Sequence, residues 1–296
     1  MRLRGARVKK FCAHWQSRTP TEAAGKALET LIPRYAMMPL PVNPDSLAKW
    51  FGVEQTIEVE MTDFDGLLSK TASGRYVVSL RKGQSESRRR FTLAHELGHL
   101  IVHHVIGEGR SEASDGALSC RDGTIEDREE EGLCDILAAE ILMPGIQFRR
   151  VMEEQGVNAQ KIPDLARRFG VSVRAACRRV TGFLPYKIGI AMWAKESNGS
   201  VVPRWYEGKL GPKTLEYTIE PGSTGFACFS NCSIRGWYWI RLFGQMDKYY
   251  VDVSPLGNSQ TMWLMVVLFD NAAAHIMSEL SRVGHLVTRQ IPLLDK

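Results

Sequence analysis

Residues 88–104 read RRRFTLAHELGHLIVHH, and the segment His95-Glu96-Leu97-Gly98-His99 at their centre is an HExxH motif within a predicted helix. The two histidines are four positions apart, so a helix presents both on one face. Two imidazoles with this spacing can bind one zinc ion, and Glu96 is then placed to act as general base on the water that the ion activates. The stretch therefore predicts a metal-binding helix with a catalytic carboxylate.

A catalytic zinc site takes three protein ligands, so the sequence must supply one more. Metzincins carry a third histidine six residues after the motif, but that position is Val105, which excludes this class. Thermolysin-like enzymes take a glutamate from a later helix instead. Residues 127–144, DREEEGLCDILAAEILMP, predict such a helix, which Pro144 ends.

The acidic start of this second helix contains the candidates for the third ligand. Glu131 and Asp135 are four positions apart and share a face, so we predict that Glu131 binds the metal and that Asp135 accepts a hydrogen bond from a ligating histidine. Glu130 is the alternative ligand. For Glu129 we expect only a favourable interaction with the helix dipole.

These two stretches together resemble the ImmA/IrrE family of zinc metallo-endopeptidases. The ending LAAEILMP at residues 137–144 is similar to the FAAELLMP helix of that family. In the family the HExxH histidines and a glutamate ahead of the second motif bind zinc, which the resemblance maps onto His95, His99 and Glu131, and the HExxH glutamate, here Glu96, is the base. The family often has Ala-Asn where this chain has Cys134-Asp135, and an aspartate keeps the hydrogen-bond acceptor. The resemblance covers residues 20–185.

The resemblance implies a function that the zinc chemistry alone does not name. Family members typically cut or inactivate a helix-turn-helix repressor of the Xre type and so release a stress, prophage or mobile-element operon. We therefore expect a zinc-dependent endopeptidase that acts on such a repressor, with manganese as the other candidate ion. The alternative is a regulator that binds DNA or displaces a repressor without cutting it, and whose zinc is structural.

Composition limits where such a protein could act. The chain of 296 residues is 44% hydrophobic but has no run of 18 apolar residues, so we expect no membrane span. Its first twenty residues are basic and lack the apolar region of a signal peptide. The six cysteines are scattered, which favours reduced thiols and a cytoplasmic location.

We predict an α+β protein in four parts. Residues 1–20 carry six basic and no acidic residues and are expected to form a disordered arm. Residues 21–148 are expected to form a zincin-like peptidase domain. Residues 149–187 follow with a helix-turn-helix rhythm, and residues 188–296 are interpreted as a mixed α+β domain. Some family members carry a GAF-like sensory domain in that last position.

Two further expectations concern partners. Residues 149–187 contain nine Lys or Arg and three acids, a net charge of +6, which suits phosphate contacts. A helical hairpin that packs on the peptidase or docks its protein partner is an equally good interpretation of that segment. Residues 76–80 predict a strand just before the HExxH helix. This strand is our candidate for the sheet edge that binds an extended substrate, and an internal core strand would show the same pattern.

Overall fold

A computed structural model describes residues 5–107, 125–184, 188–208, 234–242, 245–256 and 261–268. Within these ranges the protein has eight α-helices and two β-sheets, in agreement with the predicted mixed α+β class. The chain divides into two compact units. The first comprises Met1–Phe148 and Arg168–Ser172, and the second comprises Arg149–Arg167 and Val173–Lys296.

Five helices and a three-stranded sheet build the first unit. In chain order they are α1 (Ala6–His14), α2 (Pro20–Leu31), α3 (Pro44–Trp50), β1 (Val53–Val59), β2 (Gly66–Lys70), β3 (Tyr76–Arg81), α4 (Glu86–Ile106) and α5 (Ile125–Leu142). A short 3-10 helix, Tyr35–Met37, lies between α2 and α3. All of the helices contribute buried apolar residues to one core, with α4 and α5 packed against each other at its centre. None of the helices in the described ranges is long and apolar enough to cross a bilayer.

The sheet of the first unit has the order β1-β3-β2. β1 runs parallel to β3, and β2 runs antiparallel to it. The expectation that residues 76–80 form an edge strand is therefore wrong, because β3 is the central strand. Its alternating burial, with Val78 and Leu80 fully buried, gives no information on the order of strands. The edges are β1 and β2, and β2 is the one whose first residue approaches the HExxH helix.

The N-terminal segment differs from the expected disordered arm. Residues 6–14 form α1, whose apolar side chains Val8, Phe11 and Cys12 are almost completely buried in the core of the first unit. This apolar spacing of three and four is that of an amphipathic helix, and a count of the basic residues alone does not show it. Residues 1–4 lie outside the described residues.

The second unit contains most of the basic segment and the second sheet. Its elements are most of α6 (Gly145–Gln155) and α7 (Ile162–Phe169), followed by α8 (Val173–Phe183), β4 (Ile188–Lys195), β5 (Val201–Gly208), β6 (Ile234–Leu242), β7 (Gln245–Pro255) and β8 (Met262–Leu268). The five strands lie in the order β5-β4-β8-β7-β6, and every pair is antiparallel. The domain boundaries proposed from the sequence stay predictions, as does a GAF-like identity for residues 188–296.

Candidate metal centre

Helix α4 carries the HExxH motif through the middle of the first unit. The side chain of Ser85 caps its first turn by accepting a hydrogen bond from the Arg88 backbone N–H, and Gly107 ends it with a positive φ of 77°. Twelve of its 21 residues are buried, among them Glu96 and His99 at 4% exposure each. A helix enclosed to this degree holds its polar side chains in fixed directions, as a preorganised site requires.

Helix α5 brings the acidic residues against α4, and Gly98 makes this approach possible. A Cβ atom added to Gly98 would lie 3.0 Å from the Cα and 3.1 Å from the carbonyl oxygen of Cys134, which belong to the α5 backbone. A glycine inside a helix normally lowers helix stability, so a close packing contact is the usual physical reason for one. That contact brings the two helices close enough for their polar side chains to meet.

The structure brings His95, His99 and Glu131 together. The Nε2 atoms of the two histidines are 3.2 Å apart, and one Glu131 carboxylate oxygen lies 3.0 Å from His95 Nε2. The other carboxylate oxygen lies 3.4 Å from His99 Nε2. Ligand atoms of the three residues all lie within 4.8 Å of one another, and in the described part of the chain this is the one such cluster able to hold a metal ion.

The outward-facing nitrogen of each histidine also has a partner. His95 Nδ1 lies 2.9 Å from an Asp135 carboxylate oxygen, as the spacing of Asp135 from Glu131 led us to expect. His99 Nδ1 lies 3.3 Å from the buried sulfur of Cys134, a contact that the sequence did not point to. The Asp135 carboxylate accepts from His95 Nδ1–H, which leaves the His95 Nε2 lone pair directed into the cluster, and a Cys134 sulfur that accepts from Nδ1–H does the same for His99.

The alternative third ligand, Glu130, lies elsewhere. It is buried, and its carboxylate accepts a hydrogen bond of 2.5 Å from Arg7 Nε on α1. Glu129, expected to serve only the helix dipole, accepts a hydrogen bond from the Gly5 backbone N–H. Of the three consecutive glutamates, Glu131 is the one whose carboxylate meets the histidines.

Glu96 lies under the first residue of edge strand β2. A Cβ atom on Gly66 would lie 2.7 Å from Glu96 Oε1 and 2.5 Å from Thr92 Cγ2, so a larger residue at this point of the strand would displace these side chains. Gly66 was not predicted to belong to the site, because an isolated glycine at a strand start also marks an ordinary turn. The result is a backbone that passes directly beside the carboxylate of the HExxH motif.

The electrostatics of the cluster favour a single positive charge between the histidines. Burial lowers the pKa of the His95 imidazole, but the hydrogen bonds to Asp135 and Glu131 outweigh burial and raise that pKa to about 10. Burial and then the neighbouring His95 lower the pKa of the His99 imidazole to about 4. The pair therefore takes one proton and resists a second.

The donor atoms fit a divalent metal ion in place of that proton. Two imidazole lone pairs that face each other at 3.2 Å, beside a carboxylate, repel one another unless a cation lies among them. Around a tetrahedral zinc ion with Zn–N distances of about 2.0–2.1 Å, neighbouring ligand atoms lie roughly 3.3 Å apart. The observed separations of 3.0, 3.2 and 3.4 Å bracket this value. Nitrogen and oxygen donors also suit manganese.

Comparison with known proteins connects this geometry to a family. Residues 52–181 match the family model described as the IrrE N-terminal-like domain of peptidase family M78. The matched range contains the HExxH helix, the acidic helix α5 and the helix pair α7 and α8. It begins after α1, α2 and α3.

Two individual proteins are also similar. The radiation response metalloprotease IrrE of Deinococcus radiodurans is 30% identical over 118 residues, which make up 40% of this chain. The aligned region is 34% of that protein, so the chain covers about a third of the length of this curated relative. Among solved structures, a transcriptional regulator of Mycobacterium tuberculosis aligns over 90% of this chain and 94% of its own, with a TM-score of 0.47 and 16% identity.

Proposed function

Residues 52–181 of this chain belong to the ImmA/IrrE family, and from that premise we propose that the protein is a cytoplasmic zinc-dependent endopeptidase. We propose as its substrate a helix-turn-helix repressor of the Xre type, whose cleavage derepresses a stress, prophage or mobile-element operon. The family resemblance is the basis for the repressor as substrate, and the residues of the site are the basis for the peptidase chemistry. One observation carries the proposal: two histidines of one helix and a glutamate of another converge, with a buried glutamate beside them.

His95, His99 and Glu131 are the residues that would hold the ion, with Asp135 orienting His95 and Cys134 orienting His99. Zinc bound there would polarise the scissile carbonyl and acidify the attacking water. Glu96 accepts the proton of that water and then delivers it to the leaving amine. Its burial keeps the carboxylate close to the reacting atoms and away from bulk solvent, so the proton passes directly between substrate and enzyme.

The edge of the first sheet supplies a place for an extended substrate segment. In place of β3, which is central, we assign this role to β2, since its backbone passes beside Glu96 at Gly66. An added strand would pair its main chain with the edge of β2 that no strand of the described residues covers, a common mode of peptide recognition. The scissile bond would then lie near Glu96 at the start of the strand.

The alternative function, a regulator that binds DNA without proteolysis, rests on the basic segment. Within the second unit, two arginines of α8 are paired with a carboxylate of their own chain. Arg174 Nε lies 2.7 Å and Arg178 Nε 3.2 Å from Glu207 on β5. The single Glu207 carboxylate offsets one of these two positive charges, so the helix offers less net charge for phosphate contacts than the sequence count indicates. This observation favours the interpretation of α8 as a packing helix.

The test is co-incubation of the purified protein with the Xre-type repressor encoded beside its gene. We expect two repressor fragments with zinc present and none after chelation. The Glu96→Gln variant should still bind zinc and the repressor but should not cut, because an amide cannot accept the proton. Cutting by Glu96→Gln at the wild-type rate would refute the role of Glu96. An intact repressor released from DNA would support the regulator.

A further inference from the structure

Helix α1 contacts both of the helices that carry the proposed metal ligands. At its start, the Gly5 backbone N–H donates a hydrogen bond to Glu129 and Arg7 binds Glu130, both in α5. In the middle of the helix, Lys10 Nζ donates a 2.8 Å hydrogen bond to the carbonyl oxygen of Ile106 at the end of α4. The family match begins at residue 52, so these contacts come from outside the matched domain.

The position of α1 is itself fixed by packing. Val8, Phe11 and Cys12 are exposed by 2%, 0% and 4%, so the helix is anchored along one side in the core of the first unit. Arg7 extends from this anchored helix and is 23% exposed in its side chain. Its guanidinium is therefore held by a rigid element, and a carboxylate bound to it is held as well.

The carboxylate that Arg7 binds is the direct neighbour of the proposed third ligand. The Glu130 side chain is 6% exposed, and a buried carboxylate needs a charged or hydrogen-bonding partner to remain ionised. Arg7 provides a 2.5 Å contact through Nε and a longer one of 3.4 Å through Nη2. The Glu131 side chain is 38% exposed, so packing alone does not fix it. Its direction depends on how firmly this turn of α5 is held.

We propose that Arg7 is a positioning residue of the metal centre: by binding Glu130 it holds the turn of α5 that presents Glu131 to His95 and His99. This inference rests on the proposed metal site but not on peptidase activity. Arg7 acts through Glu130 and is assigned no contact with the ion or the substrate.

The charge of Arg7 and its positioning role predict opposite effects on metal binding when Arg7 is removed, so the direction of the change distinguishes them. Arg7 carries a positive charge beside the turn of α5 that holds Glu131, and like charges repel. If charge alone mattered, removal of Arg7 would therefore strengthen the binding of a cation. If positioning dominates, removal of Arg7 weakens that binding.

The experiment measures Zn²⁺ affinity of the full chain by competition with a chromophoric chelator, without substrate. Arg7→Met should bind Zn²⁺ about 10- to 100-fold more weakly, the range typical for loss of a group that supports a metal ligand. Lys9→Met is the matched control, since Lys9 is exposed on the same helix and carries the same charge. Its affinity should equal that of the wild type. Equal or tighter binding by Arg7→Met would overturn the proposal.

Two further variants keep the inference testable if Arg7→Met does not fold. Arg7→Lys keeps the charge but loses the two-nitrogen contact, and Glu130→Gln removes the charge of the partner. Both should weaken Zn²⁺ binding and alter the visible spectrum of the Co²⁺-loaded protein. A double variant with both positions changed should bind Zn²⁺ no more weakly than the worse single variant. Independent, additive losses would overturn the pairing.

This readout separates the inference from the proposed function. Weakened Zn²⁺ binding in a protein that never cuts a repressor would support the role of Arg7 and count against the peptidase. Cleavage of a repressor by the wild type, together with unchanged Zn²⁺ affinity in Arg7→Met, would support the peptidase and refute the role of Arg7.

Discussion

At the residue scale, the proposed centre depends on which nitrogen of each histidine carries a proton. Asp135 and Cys134 lie against the two Nδ1 atoms, and the two Nε2 atoms face each other beside Glu131. The Asp135 carboxylate can only accept, so it favours the His95 tautomer that binds a metal through Nε2. The partners of the ligands therefore matter almost as much as the ligands.

The first prediction concerns Asp135. Asp135→Ala should weaken Zn²⁺ binding about 10- to 100-fold, because His95 loses the acceptor that orients its ring. Asp135→Asn is the control and should stay close to wild type, since its amide oxygen still accepts a hydrogen bond. Zn²⁺ competition titrations of the wild type and the two variants measure the effect. Equal affinity for all three proteins would show that Asp135 does not orient His95.

The second prediction concerns Gly66, where a methyl group would meet the carboxylate of Glu96. Gly66→Ala should lower kcat for repressor cleavage by roughly 100-fold, since misplacement by about 1 Å can cost this much, while Zn²⁺ affinity remains unchanged. Gly25→Ala is the control, because a Cβ there meets nothing within 4 Å. Full activity in Gly66→Ala would show that β2 does not constrain Glu96.

At the scale of elements, the helices and strands that local sequence patterns mark were predicted correctly. The HExxH helix, the acidic helix with Glu131 and the strand at residues 76–80 occur close to their expected positions, because periodicity and turn residues mark them. The order of strands in the first sheet, the contact of Cys134 with His99 and the approach of Gly66 to Glu96 were not predicted, because they depend on long-range packing for which a single sequence carries no local signal. Helix α1 was not predicted either, although the spacing of Val8, Phe11 and Cys12 is a local signal of it.

The third prediction tests the packing of α4 on α5. A methyl group at Gly98 would lie within 3.0–3.2 Å of Cys134, including its backbone, so the two helices must separate. Gly98→Ala should destabilise the protein by about 1–3 kcal/mol and weaken Zn²⁺ binding. Gly132→Ala on α5 is the control, since its Cβ meets open space. Thermal unfolding and Zn²⁺ titration measure both effects, and a Gly98→Ala protein indistinguishable from wild type would contradict this role.

The helix pair α7 and α8 shows why a sequence motif alone does not establish DNA binding. The predicted pair is present, and Gly170 between the helices has a positive φ of 63°. Spacing could not show that Glu207, on a later strand, pairs with Arg174 and Arg178. The net charge of the segment includes both arginines in full. It therefore overestimates the positive charge that is available to bind DNA phosphates.

At the scale of the whole molecule, the proposed centre lies within one of two compact units. A ligand that binds the folded state alone stabilises it by about 2.7 kcal/mol at a concentration 100 times its Kd. The fourth prediction is that Zn²⁺ raises the unfolding midpoint of the first unit by roughly 5–10 °C. His99→Ala should abolish this shift. A shift retained in His99→Ala would place the ion elsewhere.

The central claim is that His95, His99 and Glu131 bind one ion in common. Its most direct test is an anomalous difference map at the zinc absorption edge from crystals of the zinc-loaded protein. The account predicts one peak about 2.0–2.2 Å from Nε2 of both histidines and from a Glu131 oxygen. A peak bound to other residues, or a Glu131 side chain directed away from a peak at the histidines, would contradict it.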